Sequence, residues 1–101
     1  MKSKKNDNFL QDLYFTIEKR AKGKDKKSYT KFLLKSGKNK IAEKVAEESN
    51  ELIIDYLNGS KKRVVEEASD LIYHVLVLLY SKKITLSNIK KELLKRKNVR
   101  R

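Results

Sequence analysis

Residues 40–81 read KIAEKVAEESNELIIDYLNGSKKRVVEEASDLIYHVLVLLYS, and this stretch decides the fold. Two long segments of helical spacing flank a single turn signal. In the first, Ile41, Val45, Leu52 and Tyr56 define an apolar centre on one helix face. In the second, Val64, Ala68, Leu71, Ile72, Val75, Leu76 and Leu79 form one wide stripe. Between them, Asn58, Gly59 and Ser60 supply a glycine that stops one helix and a hydroxyl that caps the next. The spacing predicts helices over about 40–57 and 61–81, folded back on each other.

Shorter helical patterns lie on either side. One runs over about 8–20, with Asp7 as its cap and Leu10, Leu13, Tyr14 and Ile17 on one face. Residues 21–27 (AKGKDKK) read as a basic loop around Gly23. Ser28 can cap a short helix carrying Phe32, Leu33 and Leu34, which Gly37 would end. Thr85 can cap a last helix containing Leu86, Ile89, Leu93 and Leu94. The polar, basic ends, 1–7 and 98–101, read as frayed. Proline is absent and glycine occurs three times in 101 residues, which favours helices over a many-turned β fold. The expected architecture is one all-α domain over 1–101, a bundle of about five helices around the antiparallel hairpin. Its core is modest at this length, so association with a second copy would be a natural way to bury more surface.

Composition narrows the function. Without cysteine there are no disulfides, thiolate metal sites or cysteine nucleophiles. The apolar run at 75–80 is too short to cross a bilayer and the N-terminus lacks an apolar signal core, so a soluble, cytoplasmic protein with no membrane partner is expected. Lysine and arginine total 26 against 13 acids, a formal charge of +13. Such a charge suggests nucleic acid, but 21 of the 26 are lysine, whereas specific readout favours arginine. No specific nucleic-acid partner is expected. A small basic helical protein that binds nucleic acid or another protein remains the alternative from a different class, and it would need its lysines on one continuous face.

The acids are not spread like the lysines. Eight of the 13 fall between Glu43 and Asp70, among only four basic residues. Glu48 lies about 20° from Ile41 on the helical wheel, and Glu51 about 60° further round. Glu67, Asp70 and His74 make one i, i+3, i+7 row beside the second helix's stripe. Glu51 and Glu67 stand eight residues either side of Gly59; Glu48 and Asp70 stand eleven. An antiparallel hairpin therefore brings the four level in two cross-helix pairs. Four converging, partly buried carboxylates repel one another unless a cation sits among them, and all-oxygen ligation suits Mg²⁺ or Mn²⁺. The competing account is solvated acids, or acids paired along the helix, as Glu47 with Lys44.

Glu47, Glu48 and Glu51 followed by Glu67 and Asp70 spell EExxE…ExxD, a pattern that resembles the MazG-like all-α nucleoside triphosphate pyrophosphohydrolases. The flanking text is most similar to the phosphoribosyl-ATP pyrophosphohydrolase family of histidine biosynthesis: Ser28, Tyr29 and Thr30, then Leu33, Leu34 and Gly37, then Asp70, Leu71, Ile72, Tyr73 and His74. The likeness covers roughly residues 10–96. Ala46 stands where the family usually has glycine and Ser69 where it usually has alanine; both are small, and neither is a proposed ligand.

The resemblance implies a homodimer with a Mg²⁺-dependent site in each hairpin. The implied reaction is hydrolysis of phosphoribosyl-ATP to phosphoribosyl-AMP and pyrophosphate, the work of a phosphoribosyl-ATP diphosphatase. By matching positions, Glu48, Glu51, Glu67 and Asp70 are the metal ligands, with Mn²⁺ a possible substitute. Glu47 would bind a second ion or activate the attacking water, with Glu48 the other carboxylate open to the catalytic role. Lys44 would contact substrate phosphate or pair with Glu47 and Glu48. Ser28, Tyr29 and Thr30 would bond or stack on the substrate, against the plainer roles of a helix cap and a core tyrosine. Arg20 and the loop lysines would attract the polyanion or simply be solvated. His74 would orient a ligand rather than bind the ion, and Tyr73 would pack, within the subunit or across a dimer interface. The alternative enzyme is a relative acting on another nucleoside triphosphate.

Overall fold

The structure is a computed structural model in which residues 8–99 are described. Five helices follow in order: α1 (Phe9–Lys22), α2 (Tyr29–Ser36), α3 (Lys38–Asn58), α4 (Lys61–Ser81) and α5 (Leu86–Val99). No strand occurs among the described residues, and no helix there is long and apolar enough to cross a membrane. The architecture is all-α. Asp7 and the rest of 1–7, with 100 and 101, lie outside the described residues, whereas 98 and 99, expected to fray, close α5.

The predicted caps form at three starts. Ser28 accepts from the Lys31 N–H at 3.2 Å and Ser60 from the Arg63 N–H at 3.2 Å. Thr85 and Asn88 cap each other reciprocally, the Asn88 side chain taking the Thr85 N–H at 2.8 Å. Gly37 alone separates α2 from α3. Its φ of 97° is a conformation that L-residues avoid, and a side chain there would touch nothing, so the backbone rather than space demands glycine. At Gly59 the reason is different. A Cβ would stand 3.0 Å from the Asp55 carbonyl oxygen, which the Gly59 N–H approaches to 2.7 Å.

The core joins Tyr14 and Ile17 of α1, Leu33 of α2, Ile41 of α3, and Leu76 and Val77 of α4. Each such side chain contributes about 1.5–3 kcal/mol when fully buried. Tyr14 also donates to the Ile84 carbonyl at 2.7 Å, tying α1 to the turn after α4. These residues gather at the end of the hairpin remote from Gly59. Between Ile41 and Leu76 no apolar side chain is buried.

That distribution corrects the expected stripes. Tyr56, placed at the apolar centre of α3, is 74% exposed because only the polar first turn of α4 stands opposite it. Val45 and Leu52 are half-buried, Leu10 and Ile72 are exposed. Val77 is 0% exposed although it lies off the predicted α4 stripe. It continues the row Glu67, Asp70, His74 by three residues, so the row that carries the acids towards the tip becomes core at the base.

Candidate metal centre and active site

Along the hairpin, acids from α3 meet acids from α4 at the levels set by the count from Gly59. Oxygens of Glu48, Glu67 and Asp70 lie within 4.8 Å of one another. Glu48 and Glu67 are buried, at 8% and 5% exposure, and Asp70 is exposed. Glu51 is exposed and stands beside Glu67. Its carboxyl is raised above the ordinary range by its contact with Glu67 and that group's charge, with Lys44 opposing. Burial pushes the Glu48 carboxyl up as well, and Glu51, Asp70 and Glu67 add to the shift. Glu47 lies outside the three-carboxylate cluster, exposed, with its Oε1 3.6 Å from Lys44 Nζ.

The donor set fits a hard divalent cation. Glu48 Oε1 and Glu67 Oε1 are buried and accept no hydrogen bond. A buried carboxylate oxygen without a donor costs about 1–3 kcal/mol or more. Oxygens around an octahedral Mg²⁺, with bonds of about 2.1 Å, lie about 3–4 Å apart, so the three carboxylates need to close by only about an ångström to share one ion.

Lys44 sits between two acids, 3.6 Å from Glu47 and 4.0 Å from Glu48. Burial lowers its pKa, but the Tyr29 oxygen, Glu47 and Glu48 outweigh this and raise it. Both roles expected of Lys44 therefore start from one position, an ammonium paired with acids at the rim of the cluster.

Tyr29 is not a core residue. It is 45% exposed and its hydroxyl meets His74 Nε2 at 2.8 Å. His74 Nδ1 lies 2.9 Å from the Asp70 carbonyl oxygen. That oxygen can only accept, so Nδ1 carries the proton, Nε2 offers a lone pair, and the Tyr29 O–H donates. His74 is buried and holds Tyr29 against the helix turn that presents Asp70. The Tyr29 ring also stacks at 6.2 Å on Tyr73 and at 6.3 Å on Phe32.

Thr30 departs from its expected place. It is 1% exposed and hydrogen-bonded to the Tyr73 hydroxyl, so it holds α2 to α4 and does not face a ligand. The same bond occupies Tyr73 within this subunit. Ser28 spends its hydroxyl on the cap of α2. Arg20 is exposed on the wall of a cleft of 540 Å³ that Ser28 and Tyr29 also line.

Sequence reasoning did not single out Arg63. Its Nη2 lies 2.8 Å from Glu67 Oε2 and 3.6 Å from Asp55 Oδ2, and its Nη1 lies 2.8 Å from Glu66. Arg63 thus takes one oxygen of Glu67, Oε2, while the other, Oε1, is buried without a donor. The signal was present: Asp55 and Arg63 are each four residues from Gly59.

Fold and site together define an all-α protein with a cluster of carboxylates between two antiparallel helices. The family described as phosphoribosyl-ATP pyrophosphohydrolase matches residues 10–97. A protein of Sulfolobus acidocaldarius named phosphoribosyl-ATP pyrophosphatase is 47% identical over 90% of this chain and 96% of its own length. One of the same name from Bacillus cytotoxicus is 41% identical over 86% of this chain and 81% of its own. A histidine biosynthesis bifunctional protein HisIE of Bacteroides thetaiotaomicron is 44% identical over 87% of this chain, which spans 43% of that longer protein. The chain belongs to the phosphoribosyl-ATP pyrophosphohydrolase family.

Proposed function

We propose that this chain is a phosphoribosyl-ATP diphosphatase, which uses water to break the α–β anhydride of phosphoribosyl-ATP and yields phosphoribosyl-AMP and pyrophosphate. Family membership and the relatives' names support the reaction class. The observation that carries the chemistry is the pair of buried carboxylate oxygens, on Glu48 and Glu67, that no protein donor satisfies.

In this reading Glu48, Glu67 and Asp70 hold Mg²⁺ or Mn²⁺, and Glu51, next to Glu67, completes the set. The ion, when bound, supplies positive charge to phosphate oxygens and to the leaving pyrophosphate. Glu47, outside the cluster and exposed beside Lys44, takes the proton of the attacking water; Glu48 is the other carboxylate in reach of that role. Lys44 contacts phosphate at the rim. Tyr29 offers its exposed ring to the purine, and His74 fixes the Tyr29 hydroxyl and so the ring's position. Catalysis of this kind is positioning plus electrostatics and needs no covalent nucleophile.

The proposal also includes a single domain over 1–101 acting in the cytoplasm as a homodimer. Ile53, Tyr56 and Leu57 of α3 and Val65 of α4 are each more than half exposed, an apolar surface that a second copy would cover.

A panel of nucleotides assayed with Mg²⁺, with Mn²⁺ and with EDTA tests the reading. Pyrophosphate release from phosphoribosyl-ATP that EDTA abolishes is the expected result. Turnover of ordinary triphosphates with none of phosphoribosyl-ATP would move the assignment to the other branch of the superfamily. Metal-dependent turnover of no nucleotide, with salt-sensitive nucleic-acid binding, would overturn it altogether.

A further inference from the structure

The carboxylate cluster accounts for one end of a substrate with two anionic ends. Phosphoribosyl-ATP carries a triphosphate and, across the purine, the phosphomonoester of its phosphoribosyl group. An ordinary nucleoside triphosphate lacks the second. A site that tells them apart needs cations on the far side of whatever holds the purine.

Such cations line the 540 Å³ cleft between the end of α1 and the start of α2. Its volume is in the range of small-molecule sites, about 300–1,000 Å³. Lys19, Arg20 and Lys24 bring three positive charges to it, against the single carboxylate of Asp25. That carboxylate is turned to the loop backbone, where Oδ1 accepts the Lys27 N–H at 2.9 Å. The Arg20 and Lys24 side chains have no ion-pair partner among the described residues, whereas Lys22 beside them is paired with Glu18 at 3.3 Å. Lys19 lies over the Phe15 ring, 5.7 Å from its centroid.

Tyr29 joins this cleft to the acids. Its ring lines the cleft, while its hydroxyl reaches His74, which in turn holds the Asp70 carbonyl. Charges of the acidic site, Lys44 and Glu48, both act on that hydroxyl. One aromatic side chain therefore borders a basic cleft and an acidic cluster. A purine stacked on Tyr29 would have its two phosphate-bearing arms directed to surfaces of opposite character.

We propose that the cleft at Arg20, Lys24 and Tyr29 is a second phosphate subsite, which takes the phosphomonoester of the phosphoribosyl group and so selects phosphoribosyl-ATP over ordinary nucleoside triphosphates. The proposal rests on the function given above and deepens it. Arginine supplies a fork matched to phosphate oxygens and Lys24 a point charge beside it.

The test compares the unmodified chain with Arg20→Gln/Lys24→Gln, measuring phosphoribosyl-ATP hydrolysis with Mg²⁺ and competitive inhibition by phosphoribosyl-AMP and by AMP. The double variant is expected to raise KM about tenfold, with the loss falling on KM rather than kcat. Its inhibition constant for phosphoribosyl-AMP should rise by about the same factor, while that for AMP moves less than about twofold, because AMP has nothing to place in the cleft. Lys90→Gln/Lys91→Gln on α5 removes the same formal charge and should leave both constants in place. An equal loss for both inhibitors, or an unchanged KM, overturns the subsite. Absence of phosphoribosyl-ATP hydrolysis in the unmodified chain overturns instead the function on which it rests. Should the double variant melt below the assay temperature, Lys24→Gln alone, in the exposed loop, is read by the same inhibitor ratio, with a shift of about threefold expected.

Discussion

One turn from the tip of the α3–α4 hairpin, Arg63 gathers Asp55, Glu66 and one oxygen of Glu67 into ion pairs of 2.8–3.6 Å. Two turns deeper, oxygens of Glu48, Glu67 and Asp70 lie within 4.8 Å of one another, with Lys44 at the rim 4.0 Å from Glu48. Both regions bring acids of two helices together, and Glu67 belongs to both. At the tip one arginine of the protein itself neutralises the acids. Deeper in, two buried oxygens are left without a donor, at a cost of about 1–3 kcal/mol each or more. Glu48 and Glu67 each have one oxygen near a protein cation, Lys44 or Arg63, and one without a donor, which is the oxygen the proposed ion would satisfy.

The comparison breaks most severely if the deep acids are neutralised. Glu48→Gln/Asp70→Asn is expected to lower Mg²⁺-dependent hydrolysis about 10³-fold or more, since charge stabilisation worth several kcal/mol goes with the ligands. Intact activity would remove both residues from the ligand set. Stability should move the other way in metal-free protein. The Glu48 carboxyl is raised above its ordinary 4.5, so the folded chain holds that proton to higher pH than the unfolded chain does. The native state then binds more protons as pH rises from the ordinary value through the raised one, and stability falls across that window and stays lowered at neutral pH. Metal-free protein should melt lower at neutral pH than near pH 4.5, Mg²⁺ should offset the loss at neutral pH, and the double variant should show little of either effect. A melting point that Mg²⁺ does not move would overturn the deep site.

Much of this contrast is written locally in the chain. Helical spacing, the turn at Gly59 and equal counts either side of it are enough to bring Glu48 level with Asp70 and Glu51 with Glu67. The same count pairs Asp55 with Arg63, but nothing in the local sequence separates Arg63 from Lys61 and Lys62 until it is made. Other features are set by tertiary partners that no window contains. Val77 sits in five consecutive apolar residues, 75–79, which carry no period, so its face is undetermined until α1 and α2 close on it. Thr30 looks like a free hydroxyl until Tyr73, 43 residues on, covers and bonds it. Tyr29 has the composition of a core residue and is held at the surface by the buried His74.

At the tip a smaller effect is expected. Arg63→Met removes every ion pair there, but the guanidinium is half exposed and screened by solvent, so only a small loss in unfolding free energy is expected. Arg63→Lys should recover only part, because an ammonium does not reproduce the fork that spans Glu66 and Glu67. Urea denaturation measures both. Activity should fall by no more than about tenfold, through the freed Glu67 oxygen. A loss as deep as that of the Glu48/Asp70 variant would mean that the two regions are one functional unit.

The smallest effect lies at the other end of α4, and it checks that stability and metal dependence can be separated. The helix closes with the Ile84 N–H on the Leu79 carbonyl at 2.8 Å and the Lys83 N–H on the Tyr80 carbonyl at 2.9 Å, the paired bonds of a Schellman motif. The residue this motif holds in the left-handed region is Lys83, at φ 61°, where glycine is usual. Lys83→Gly relieves the clash of Cβ with the following carbonyl, offset in part by the greater freedom of glycine in the unfolded chain. The net gain should be about 0.5–1 kcal/mol. The urea midpoint should rise with an unchanged slope and unchanged Mg²⁺ dependence, since Lys83 is exposed and touches neither acid region. A fall in the midpoint would show that the lysine side chain stabilises the turn by more than the strain costs it.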